Sequence, residues 1–202
     1  MVRELFSESH PISSDLRWNT HIDSIHKKAF KKLGFLKRRL KLAAPETKLT
    51  AHKTLIRPIL EYCDIVWPPY THLHASKLEK IQKLSLRFIY NKYNSTDSIT
   101  ELYNRSGLPT LDKRRRINRL KFLYLILHDR VRIDRSNYLV PFHPRSTRHS
   151  RSHALKPFQA RINIFKASYF PQTVEAWNAL PESIATLPTC EAFVVSLRDH
   201  LV

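Results

Sequence analysis

The chain has 202 residues, 42% of them hydrophobic, and its 35 Lys and Arg against 17 Asp and Glu leave a formal net charge of +18 with histidines neutral. That length and apolar content suffice for one medium or two small packed domains and exclude a disordered polymer. So large a basic excess attracts polyanions through phosphate contacts and counterion release, nucleic acid first among them; the plainer alternative is a solvated basic surface with no dedicated partner.

Other counts close further classes. With only two glycines, Gly34 and Gly107, the chain has no phosphate-cradling glycine loop and lacks the usual residues of tight hairpin turns, which argues against an all-β fold. Twelve prolines suit a helical protein with frequent stops. The two cysteines, Cys63 and Cys190, have no paired spacing, which argues against a disulfide framework and a thiolate zinc site and suits a reducing, intracellular compartment, the nucleus included. The opening MVRELFSESHPISSD carries charges and no apolar stretch, so it does not read as a signal peptide. The longest apolar run, 122–127, is far too short to span a bilayer, so no membrane partner is expected.

In chain order, a first long helix is expected over about 19–42, capped by the short polar side chain of Asn19 or Thr20. Ile22, Ile25, Ala29, Leu33, Leu36 and Leu40 recur at three and four residues and build its core stripe, while Lys27, Lys28, Lys31, Lys32, Lys37, Arg38, Arg39 and Lys41 crowd the remaining surface. A second helix starts at Pro45, with Leu49, His52, Ile56, Ile59 and Cys63 inward, a kink at Pro58 and an end at Trp67-Pro68-Pro69. A third runs over about 75–90, with Leu78, Ile81, Leu84 or Ser85, and Phe88 inward, and Lys77, Lys80, Lys83 and Arg87 on another side. A short helix from Ser98 stops at Gly107, and a further one from about Thr110 is basic in its first half and apolar in its second. Residues 141–157, PFHPRSTRHSRSHALKP, lack helical periodicity and read as a mobile linker between two subdomains. Two helices close the chain, near 167–180 and 189–201; Cys190, Phe193 or Val194, Leu197 and Leu201 face inward on the second.

Little in the pattern supports chemistry. Polymerisation needs two or three carboxylates converging on paired magnesium ions, and the sequence holds no Asp-Asp pair. Glu61 and Asp64 share a spacing of three without a third partner nearby and read as a polar helix end. His149 and His153 have a four-residue spacing, but Arg148 and Arg151 beside them oppose a dication; with His143 they read as RNA-facing or solvated polar residues. Catalytic residues, metal ligands and cofactors are therefore not expected. Binding remains: lysines and arginines grip phosphates without reading bases, and aromatics among them (Trp18, Phe35, Phe88, Tyr90, Tyr93 and Phe158) either stack on unpaired bases or belong to the core. Trp67 and Trp177, each next to a proline-containing stop, are expected in the core.

Four segments in order carry a family resemblance: SSDLRWNTHIDSIHKKAFKKLGFLKR at 13–38, TLIRPILEYCDIVWPPYTHLHASKLEKIQKLSLRFIY at 54–90, SGLPTLDKRRR at 106–116 and SYFPQTVEAWNALP at 168–181. Together they resemble the part that follows the catalytic palm in reverse transcriptases of non-LTR, jockey-like (LINE-type) retrotransposons, over roughly residues 12–202. The resemblance implies an all-α fold: a thumb-like helical domain over 12–128, its thumb helices within 20–92, then a basic linker over 129–166 and a small C-terminal helical region over 167–202. The family's Tyr-Leu-Gly segment and palm have no counterpart in residues 1–11, which read as an unrelated extension. The parent family is an RNA-directed DNA polymerase. Without its carboxylates this chain is expected to be inactive alone and to bind RNA, RNA–DNA hybrid or DNA by the backbone, as a template-primer duplex is held. The expected contacts are Lys27, Lys28, Lys31, Lys32, Arg38, Lys77, Lys80, Lys83, Arg87, Arg114, Arg115, Arg116, Arg148 and Arg151. The competing expectation is a remnant without a dedicated ligand, inert or self-associating through the surface a palm would cover.

Overall fold

The computed structural model describes residues 18–69, 71–142 and 153–201, and among them the fold is all-α. No strand forms among the described residues; one isolated antiparallel bridge joins Pro141 to Leu155. The described residues pack as two compact units, divided between Asp112 and Lys113.

In the first unit α1 (Asn19–Arg39) and α4 (His72–Tyr90) pack side by side. The expected stripe of α1 is its core face: Ile22, Ile25, Ala29, Leu33 and Leu36 are buried against Ile56, Leu60, Trp67, Leu78, Ile81 and Phe88. Its start differs from the expected cap. Trp18 precedes the first helical residue and offers no side-chain cap bond; the Trp18 and Trp67 rings instead flank His21 edge-on, at 5.9 and 5.0 Å between centroids.

The helix α2 (Pro45–Ala51) begins with its proline in the first turn, as expected. Ahead of Pro58 the helix is irregular. The helix widens into a π turn over His52–Ile56 before α3 (Arg57–Glu61), and the N–H of Arg57 reaches back five residues to the carbonyl of His52. A proline ring clashes with the carbonyl four residues earlier and supplies no N–H to it, and the wider turn accommodates both defects without breaking the rod. The helix stops at Glu61, ahead of Cys63, which is exposed in a left-handed conformation (φ 53°) and not on the inward stripe. The Trp67 indole N–H donates to the Tyr62 carbonyl at 2.8 Å, which satisfies the one polar atom of a fully buried ring.

Thr71 caps α4 by accepting the N–H of His74, and Asn91 ends it in left-handed geometry (φ 53°). The short helix α5 (Ile99–Ser106) is capped by Ser98 and closed by Gly107 at φ 63°, where a Cβ would be strained. Leu86 and Ile89 of α4 pack with Leu102 and Leu108 as a second small core.

In the second unit the apolar half of α6 (Leu111–Leu127) meets α7 (Tyr169–Asn178) and α8 (Cys190–His200). Ile117, Leu120, Leu123, Tyr124 and Ile126 are buried with Val174, Trp177, Leu180, Phe193 and Leu197. Phe193 and Leu197 are fully buried, while Cys190, Val194 and Leu201 pack at the edge of this core. This packing moves the boundary. It falls between residues 112 and 113 instead of at 128 or within 141–157, because α6 spends its apolar half on the C-terminal helices.

The two ends of the expected linker belong to the second unit as well. Phe142 N–H donates to Ala154 and Lys156 N–H to Val140, at 2.9 and 2.8 Å. Asn178 clamps Leu155 from both sides, accepting its N–H at 2.9 Å and donating to its carbonyl at 2.7 Å, and the Trp177 indole donates to the His153 carbonyl at 3.0 Å. Residues 140–142 and 153–156 are thus held side by side. Arg148, Arg151, His143 and His149 lie outside the described residues, as do residues 1–11.

Candidate nucleic-acid interface

The lysines of α4 lie beside α1 in the first unit. An open depression of about 720 Å³ is lined there by Asp23, Leu73, His74, Lys77, Lys80 and Lys83. Lys80 and Lys83 are exposed, since α4 turns Leu78, Ile81 and Ser85 into the core and its other side outward. Lys77 is less free than its sequence pattern suggests: its Nζ donates to Asp23 Oδ1 of α1 in an ion pair that joins the two helices.

Electrostatics extend this surface along α1. The hydrogen bond from Lys77 holds the Asp23 carboxyl below its ordinary range; burial opposes it, and the charges of Lys77, His74 and Lys27 add to the lowering. Partial burial, then the charge of Lys77, hold His26 below its ordinary value; Asp23 acts the other way and Lys80 adds to the lowering. Lys27, Lys77, Lys80, His26, His74 and Asp23 therefore share one electrostatic neighbourhood. Helical spacing adds Lys31 and Arg38, both exposed, beside Lys27. Lys28 and Lys32 point to the other flank of α1, where Lys32 and Arg39 lie over the Phe35 ring, each 5.9 Å from its centroid.

Several expected contacts have other work. Arg87 is half-buried and closes the end of α4 by donating to the carbonyls of Asn94 at 2.9 Å and Lys92 at 3.3 Å. Arg115 is 2% exposed and so is not a surface contact; Arg114 and Arg116 are half-buried and, with it, belong to the second unit. The helix that reads as basic in its first half thus turns two of its arginines inward, Arg115 and Arg119, where the long apolar stems are buried with their neighbours.

The aromatics divide in the same way. Trp67, Trp177 and Phe88 are core, whereas Phe35 and Tyr93 are exposed, with Lys37 lying 5.8 Å over Tyr93. His153 is not a solvated polar residue: its ring packs edge-on against Trp177 at 6.2 Å. Among the described residues no three His, Cys, Asp or Glu side chains gather as a metal site. Asp64 is buried, and Glu61 approaches Arg57 at 3.9 Å.

Two side chains at the interface were not anticipated from the sequence. Phe30 is 54% exposed on α1, and its ring lies parallel to that of His26, with 6.2 Å between centroids and 10° between planes. The signal was present: an aromatic off the apolar stripe, four residues after a histidine and flanked by Lys27 and Lys31.

No helix among the described residues is long and apolar enough to cross a membrane. No family model, curated protein or solved structure matches this chain.

Proposed function

We propose that this chain binds nucleic acid by its sugar-phosphate backbone, without base specificity, in the manner of the helical region that follows the palm in non-LTR reverse transcriptases. It contributes grip and no polymerisation of its own. The observation that carries this reading is the open depression lined by Lys77, Lys80 and Lys83 of α4, whose one lining carboxylate is Asp23 of α1, with the charge of Lys27 within reach of that carboxylate. Cations at helical spacing along two adjacent rods meet successive phosphates and need no base edge, which suits the A-form geometry of RNA duplexes and RNA–DNA hybrids.

Binding of purified protein to a fluorescent RNA–DNA hybrid, followed by anisotropy over a range of salt, tests the reading. The logarithm of affinity is expected to fall linearly with the logarithm of salt concentration, with a slope of roughly −3 to −4 for about four phosphate contacts. Binding that is undetectable at low salt, or indifferent to salt, overturns it. Exposed Tyr62, Val66 and Leu73 give the competing reading its handle: self-association by light scattering without nucleic-acid binding would favour that reading instead.

A further inference from the structure

The phosphate grip stands beside a second kind of surface. His26, Phe30 and Gly34 follow one another at four-residue spacing and so form a line along α1, with Lys27, Lys31 and Arg38 on one side, and at its start His26 lies within reach of the charges of Lys77 and Lys80 of α4. The two rings lie parallel and Phe30 is more than half exposed, although α1 has a full apolar stripe elsewhere to serve its core.

Gly34 is the second observation. A glycine inside a helix costs about 1 kcal/mol relative to alanine. Nothing in the fold requires this one: its φ is not left-handed, and an added Cβ would meet only the Nη1 of Arg38, at an ordinary 3.7 Å. The other glycine, Gly107, has its positive φ as a reason. A missing side chain in the middle of a cationic face lowers the helix surface where a ligand backbone can come close.

We propose that the His26–Phe30–Gly34 line of α1 is a subsite for single-stranded nucleic acid, in which an unpaired base stacks on Phe30 and the adjoining backbone crosses Gly34 beside the cations of α1. The inference rests on the nucleic-acid reading above and adds a preference for strands with unpaired bases. Every base has a π face, so such a subsite is indifferent to sequence. In a continuous duplex the faces are already stacked and closed to Phe30, so only the cations take part.

The test measures affinities of the full chain for two fluorescent probes, a uridine oligonucleotide of about a dozen nucleotides and an RNA duplex of the same length. The proteins are wild type, Phe30→Ala, Phe30→Leu, Gly34→Gln and Lys80→Glu with Lys83→Glu. Both Phe30 variants should weaken single-strand binding about tenfold, the scale of one stacked base, and leave duplex binding within about twofold. Gly34→Gln should also weaken single-strand binding while its melting temperature stays level or rises, which a purely structural glycine would not allow. The double lysine variant should weaken both probes. Equal losses on both probes, or no loss, for the Phe30 variants overturn the subsite while leaving the backbone grip standing. A wild-type protein that binds neither probe overturns both.

Discussion

The ammonium of Lys48 on α2 donates to the side-chain carbonyl of Asn91 at 3.0 Å, where Asn91 closes α4 in left-handed geometry. Lys48 is only 1% exposed, and its Nζ also lies 4.9 Å from the Phe88 ring centroid. The charge thus sits over an aromatic face and near the negative end of α4, two environments that favour a cation. Asn91→Gly keeps the backbone geometry and removes the acceptor, so it should cost about 1–3 kcal/mol, the penalty of a buried donor left unsatisfied. Asn91→Ala should cost about 1 kcal/mol more, because a Cβ is disfavoured at positive φ. Urea denaturation measures both; a glycine variant as stable as wild type would show that Lys48 does not depend on this bond.

Glu79 joins α4 to the start of α6 within the first unit. One carboxylate oxygen accepts the hydroxyl of Tyr103 and the other accepts the N–H of Leu111 at 2.9 Å, while Gln82 donates to the Pro109 carbonyl at 3.0 Å. A carboxylate from another helix therefore caps the first turn of α6, where free amides and the helix dipole favour an anion. Glu79→Ala should destabilise by about 2–3 kcal/mol and Tyr103→Phe by about 1 kcal/mol, read from thermal melts. Burial first, then the Glu79 carboxylate, push the Tyr103 hydroxyl well above its ordinary 10.0. A raised tyrosine contributes stability that is complete below its unfolded value and lost as pH climbs beyond it, so Tyr103→Phe should flatten the alkaline loss.

Asp23 is the carboxylate in the cationic depression, and it competes with phosphate for Lys77. Asp23→Asn should therefore tighten nucleic-acid binding severalfold at low salt, with little effect above about 1 M salt where screening is short-ranged. Weaker binding by this variant would mean that the ion pair positions Lys77 for its ligand.

His26 ties the same surface to pH. Its pKa lies below the ordinary 6.5, chiefly through burial and then Lys77, so the folded chain resists protonation there and loses stability as pH falls through and below that value. A phosphate placed among Lys77 and Lys80 offsets their charge and raises His26, so binding takes up a proton. Affinity should rise roughly two- to fivefold between about pH 7.5 and about pH 6, and His26→Gln should abolish much of the rise. Asp23, already below its ordinary 3.8, stays ionised throughout that window. NMR titration of the His26 ring with and without ligand measures the shift directly.

The two flanks of α1 give a positional test. Lys27→Glu with Lys31→Glu should weaken binding about tenfold or more at low salt, uniformly across sequences, and reduce the salt slope by about 2. Lys28→Glu with Lys32→Glu, on the flank with Phe35, should have a much smaller effect. Equal losses from both pairs would spread the interface around the helix and away from α4.

What the sequence determined by itself was local. The stripe from Ile22 to Leu36, the start of α2 at Pro45, the Gly107 cap and the inward Phe193 and Leu197 all follow from spacing and backbone chemistry within one or two turns. Trp67 and Trp177 were legible as core for the same reason: large apolar area next to a helix stop. What only the tertiary structure decided is which cations face water. Lys48, Arg115 and Lys77 look like their exposed neighbours in any local window, yet one is buried against Asn91 and Phe88, one lies inside the second unit, and one is paired with a residue 54 positions away. The boundary after Asp112 and the side-by-side ends of 141–157 likewise rest on partners far along the chain, such as Trp177 and Asn178. Long flexible stems let Lys and Arg lie along apolar surface or reach out to solvent with almost the same local sequence, so the choice falls to whichever neighbour the fold brings within hydrogen-bonding reach.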